Sequence, residues 1–246
     1  MDRHRKRNKA VAREQRLMRI AGKGAAGAAV GAAGPGVASG AATGLLAGAA
    51  LEIWDWLMDR VRESRAGRSQ KLLLQLSSQH ASDVGQALRS VKAALEEEPL
   101  FADAVVETFR QLDHSLDDAV VPSLALLVAE YRTKPVDWFF RSVGRLLADL
   151  VPGELEALHT IVEAARRVRA PRRKFLLLPR SDGGLTARFY KADEDFFLAQ
   201  ELSCKVADPR RLFFLLNSHG LALGPEDGGV VLEEAVVERL AKIVQL

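Results

Sequence analysis

Residues 135–169 read PVDWFFRSVGRLLADLVPGELEALHTIVEAARRVR. Two amphipathic runs sit back to back in this stretch. Phe139, Val143, Leu146 and Leu150 recur at helical spacing, and so do Leu155, Leu158, Val162 and Ala165. Pro135 and Pro152 stand just ahead of the runs, where proline does no harm because the first N–H groups of a helix have no partner inside it. Helices of roughly 12–18 residues joined by such short turns pack antiparallel in a bundle.

The same pattern extends upstream. Pro99 opens a helix carrying Phe101, Val105, Phe109 and Leu112, and Leu116–Arg132 reads as another with Pro122 as a start or kink. Ser82–Glu98 carries the stripe Leu88, Val91 and Leu95, preceded by a short helix Lys71–Ser78. From Leu45 to about Arg65, Leu46, Ala49, Ile53, Trp54, Leu57 and Val61 share a face, and Gly67 ends the run.

After Pro171 the period changes. Lys174–Leu178 and Leu185–Tyr190 flank Ser181-Asp182-Gly183-Gly184, a hairpin signal. Asp193–Cys204 reads as helical, and Asp208-Pro209 is an N-cap with proline at N1 for a helix that Gly220 closes. Leu221–Leu223 and Val230–Leu232 read as a second hairpin, and Glu233–Val244 as the last helix. The expected fold is mainly α: a Gly/Ala-rich N-terminal helix, an antiparallel helical bundle over 68–170, and a small α+β unit with two hairpins, winged-helix-like, over 171–246. The expected divisions are a basic arm at 1–24, a glycine-zipper segment and amphipathic helix at 25–67, then these two units.

Charge is distributed unevenly. The chain of 246 residues carries a formal +3, yet residues 1–24 hold Arg3, Arg5, Lys6, Arg7, Lys9, Arg13, Arg16, Arg19 and Lys23 against only Asp2 and Glu14. The arm therefore carries +7 and the remaining chain −4. A second basic patch comprises Arg166, Arg167, Arg169, Arg172, Arg173 and Lys174. Such runs attract anionic lipid or nucleic acid, although cations near a helix C-terminus also complement its dipole.

Residues 25–51 hold no charge, and within them Gly36, Gly40, Gly44 and Gly48 recur every four residues. On a helix such glycines form one strip, along which two backbones approach closely. The length suits a bilayer, Trp54 and Trp56 follow where an interfacial aromatic belt lies, and the basic arm places the start on the cytoplasmic side. Against a span stand the Gly/Ala composition and the break at Pro35-Gly36; a soluble linker, a packing helix or a cleaved targeting segment are the other readings.

Chemical motifs are sparse. A single cysteine, Cys204, excludes an intramolecular disulfide and a Cys-based zinc cluster. Gly-x-Ser-x-Gly, Walker A and dinucleotide fingerprints are absent. His114 lies among Asp113, Asp117 and Asp118, too few ligands without a second His or Cys nearby. His159 and Glu163 form an i,i+4 pair that reads as helix support, while His80 and His219 sit near helix ends. In the winged-helix layout the second helix, Arg210–Asn217, holds five consecutive apolar residues, which suits burial and leaves Arg210 and Arg211 for phosphate.

One further pattern is a resemblance. Val121–Ala129, then Lys134-Pro135-Val136-Asp137-Trp138-Phe139-Phe140, then Leu146–Leu158, is similar to the helical core of Abi-alpha-type proteins. The resemblance implies a bacterial protein linked to phage defence, with a Gly-rich apolar stretch near its N-terminus and a small winged-helix-type unit at the other end. It implies no catalytic residues.

The reading is therefore a non-enzymatic bacterial protein that needs no cofactor or metal. It associates with an anionic membrane, peripherally or by a single span, on the cytoplasmic side of the inner membrane. It forms a homo-oligomer through the glycine strip and meets a protein partner through 171–246. The alternative is a soluble nucleic-acid- or protein-binding module.

Overall fold

In the computed structural model, which describes residues 50–61, 67–77, 84–167, 174–190, 198–224 and 229–244, the chain is mainly helical with a four-stranded antiparallel sheet towards its C-terminus. The arm 1–24, the glycines Gly36, Gly40, Gly44 and Gly48, and Arg169, Arg172 and Arg173 lie outside the described residues. Two compact units partition the chain: Met1–Phe109 with Tyr131–Val136, and Arg110–Glu130 with Asp137–Leu246.

The first unit is built from helices. In α1, residues 50–61, the stripe Ala50, Ile53, Trp56 and Leu57 is buried while Leu51, Asp55 and Asp59 face solvent. Helices α2 (Arg68–Ser77) and α3 (Val84–Glu97) pack on each other, α2 burying Leu72 and Leu73 and α3 burying Val91, Ala94 and Leu95. Helix α4 (Pro99–Leu112) opens on its proline and buries Phe101, Val105 and Phe109. Trp56 meets Phe109 edge to face, with ring centroids 6.3 Å apart. Burial against Phe109 overturns the expectation that Trp56 belongs to an interfacial belt. Arg132 clamps Glu98 with two hydrogen bonds of 2.6 Å and lies over the Phe101 ring, tying the 131–136 segment to the α3–α4 joint.

The second unit carries the sheet. A 3-10 turn (Asp118–Val120), capped by Asp117 accepting from the Ala119 N–H, leads into α5 (Val121–Glu130). The expected helix from Leu116 thus starts later, because the Asp117 cap fixes the entry and Pro122 tolerates only a first-turn position. Asp137 accepts from the Phe140 N–H and caps α6 (Trp138–Asp149); α7 (Glu154–Arg167) follows Pro152-Gly153. Strands β1 (Lys174–Pro179) and β2 (Gly184–Tyr190) form the expected hairpin, Phe175 facing Phe189 and Leu177 facing Ala187.

The next element corrects the reading. Of Asp193–Cys204, expected as a helix, residues from 198 form strand β3 (Leu198–Lys205), antiparallel to β2. Leu202, Cys204 and Val206 are buried while Glu201, Ser203 and Lys205 are exposed, a period of two that no helix satisfies. A helix–turn–helix order ahead of the next helix is therefore not formed, since a strand stands where its first helix would be. Helix α8 (Pro209–Ser218) is capped by Asp208 as expected. Strand β4 (Val230–Glu233) pairs with β1, and among the described residues the expected second hairpin is represented by a bridge from Leu223 to Val231. The final helix α9 (Glu234–Leu240) ends earlier than expected, followed by a turn that buries Ile243 and Val244. Sheet order is β3-β2-β1-β4.

Candidate functional site

Helix α7 lies against β3, an edge strand of the sheet, and polar contacts fix where α7 begins. The Glu154 carboxylate is almost fully buried, accepts from the Val151 N–H at 2.9 Å, and pairs with Arg211 of α8. Arg211 also donates to the Asp149 carbonyl at 2.6 Å, and His219 Nε2 stands 3.0 Å from the Asp149 carboxylate. Arg211 is thereby spent on holding α6, α7 and α8 together, so it is not available for the phosphate contact expected of it.

Helix α8 departs from expectation on its other face. Leu212, Phe213, Leu215 and Leu216 are buried, but Phe214 is 68% exposed, with Arg210 and Asn217 on the same side. Trp138, 57% exposed, closes over Gly220, whose φ of +71° suits glycine.

Between α7 and β3 runs a groove of about 290 Å³. One wall is the face of α7 carrying His159, Glu163 and Arg167, at i, i+4 and i+8. The other wall is four consecutive residues, Gln200–Ser203. Successive strand side chains alternate between faces, so a cavity lined by all four borders the edge of β3 and not one face of the sheet.

The charges of this groove divide into paired and unpaired. Glu163 is held by Arg166 at 3.0 Å, and Glu201 is held by Arg180, which also reaches Asp182 at 3.1 Å. The Gly184 N–H bonded to Asp182, aided by Arg180, keeps that carboxyl below the usual aspartate range. Among the described residues, His159 and Arg167 have no hydrogen-bond or ion-pair partner, so the expected His159–Glu163 contact is replaced by Glu163–Arg166. Burial, with the nearby charge of Glu156, pushes the Cys204 thiol up. A polar, concave channel with an uncommitted guanidinium suits binding of an anionic or hydrogen-bonding ligand.

Of the residues singled out in sequence, Arg166 and Arg167 stand exposed at the end of α7, and Arg167 enters the groove. Lys174 opens β1. His114 and Asp113 are exposed, and Asp117 is engaged as a cap; among the described residues no group of three His, Cys, Asp or Glu is arranged to hold a metal. His80 lies outside the described residues. The groove residues Gln200 and Ser203 were missed, and the alternation Leu202, Cys204, Val206 was the signal for them. Among the described residues no helix is long and apolar enough to cross a membrane. No protein-family model, curated protein or solved structure matches the chain.

Proposed function

We propose that this is a non-enzymatic bacterial protein that attaches to an anionic membrane through its N-terminal segments and presents its folded part to a protein partner. The observation that carries the reading is the abrupt charge pattern: a +7 arm over 1–24 followed by uncharged residues 25–51. Cations near an anionic surface contribute about 1 kcal/mol each, which makes nine of them a sufficient tether. The structure adds a support. The described part of α1, residues 50–61, adjoins the uncharged stretch and is anchored by Ile53, Trp56 and Leu57, so a membrane-held segment would pull on a packed helix.

In this reading Gly36, Gly40, Gly44 and Gly48 pack copies against one another, and the helices of 68–170 form an antiparallel bundle. The chain works at the cytoplasmic face of the inner membrane, peripherally or by a single span, and its resemblance to Abi-alpha-type proteins links it to phage defence. The likeness of 171–246 to a winged helix narrows to α8 and β4. Because Arg211 points inward and Phe214 outward, protein contact is favoured over nucleic acid for this unit.

Liposome flotation tests the reading. The full chain is expected to float with anionic vesicles at low salt, while a chain lacking residues 1–49 is expected to sediment at low and high salt; flotation of the full chain kept at high salt would add apolar insertion by 25–51. Gly40→Leu with Gly44→Leu is expected to abolish self-association. A full chain that never floats, or unchanged oligomerisation in the glycine variant, would sink the corresponding half of the proposal.

A further inference from the structure

We infer that the outer edge of β3, unpaired among the described residues, and the groove beside α7 together take an extended acidic peptide as an added strand. The inference rests on the folded part being a partner-contact module and names the class of that partner.

Three observations converge. First, β3 ends the sheet, and among the described residues no strand pairs with its outer side. An edge strand offers alternate N–H and C=O groups to an incoming strand, which would lie about 4.8 Å away. Second, α7 packs against the same strand. Helix α7 flanks it, leaving a channel of about 290 Å³ lined by both elements. A helix beside an edge strand is the arrangement in which a peptide gains main-chain hydrogen bonds from the strand and side-chain selectivity from the helix. The register of β3 with β2 is regular from Leu198 to Leu202 and shifts beyond it, so the usable edge is the part facing the channel.

Third, the charge has a sign. The two acids of the channel, Glu163 and Glu201, are already matched by Arg166 and Arg180. Arg167 and His159 face the channel without partners among the described residues. In the sequence Arg167 is followed by Arg169, Arg172 and Arg173. A carboxylate side chain next to Arg167 gains a charge-assisted hydrogen bond that a lysine would forfeit. Nucleic acid cannot pair with a strand edge in this way.

The test uses the full chain and two labelled short peptides, one alternating glutamate and valine, the other lysine and valine. Fluorescence anisotropy is expected to show the acidic peptide binding at least about tenfold tighter, and Arg167→Glu, a change at an exposed residue, is expected to erase that preference. Hydrogen exchange is expected to slow at the amides of residues 199–203 when the acidic peptide binds. Absence of binding, equal binding of both peptides, or binding without slowed exchange there overturns the inference. So does concentration-dependent protection of those amides in the protein alone, which assigns the edge to a second copy. Vesicle flotation of the unsubstituted full chain without peptide reads the membrane contact alone, so failure at the groove and failure of the membrane reading are separately visible.

Discussion

Asp103 shows how one side chain makes stability depend on pH. It is half-buried on α4, and burial pushes its carboxyl up from 3.8 to about 6. The folded chain therefore holds this proton more tightly than the unfolded chain. The stabilisation is complete below about 3.8 and is lost as pH rises through about 6. Asp103→Asn removes the charge that folding disfavours. After discounting for its exposed half, the variant is expected to gain about 1 kcal/mol at neutral pH, with the gain shrinking to nothing in acid. Urea midpoints at several pH values measure it, and a gain independent of pH would refute the cause. Arg211 makes the opposite case. Arg211→Met leaves the buried Glu154 carboxylate with only the Val151 N–H, at a cost of roughly 3 kcal/mol. If the loss comes from that stranded charge, adding Glu154→Gln recovers part of it.

At the scale of elements, the helices were legible and β3 was not. Proline at Pro99 and Pro209 and the cap Asp208 mark starts that the structure keeps, because these residues act on the backbone within one turn. β3 opens Leu198-Ala199-Gln200-Glu201, a mixed run without strict alternation, and owes its period to its pairing with β2, which local spacing conveys weakly. With the strand misread, the groove was invisible, although Arg167 and His159 were both noticed in sequence. The place of β4 beside β1 is a non-local choice of the same kind, and Gly229 exposes what enforces it. A Cβ there would stand 2.1 Å from the Leu177 carbonyl oxygen, a backbone atom that cannot swing aside. Gly229→Ala is therefore expected to lower stability by about 2–3 kcal/mol in chemical denaturation. Wild-type stability in that variant would mean that the β1–β4 approach is looser than its register implies.

For the whole molecule the decisive quantity is the opposition between arm and body. Net charge is +3, but the arm carries +7 and everything beyond it −4. A uniformly weak cation would lose membrane affinity gradually as lysines and arginines were removed. A divided one behaves differently, because the body on its own is repelled by an anionic surface and only the arm opposes that repulsion. Removing residues 1–24 while keeping 25–246 is therefore expected to abolish low-salt flotation on anionic vesicles, a loss of several kcal/mol at about 1 kcal/mol per cation. The same deletion leaves the uncharged stretch intact, so any flotation that persists at high salt reports apolar insertion by 25–51 in isolation from charge. Full flotation of the armless chain at low salt, lost at high salt, would move the anionic contact from the arm to Arg166, Arg167 and the cations that follow them. That outcome would also compete for Arg167 with the proposed peptide groove, so vesicles and acidic peptide would then exclude each other in binding.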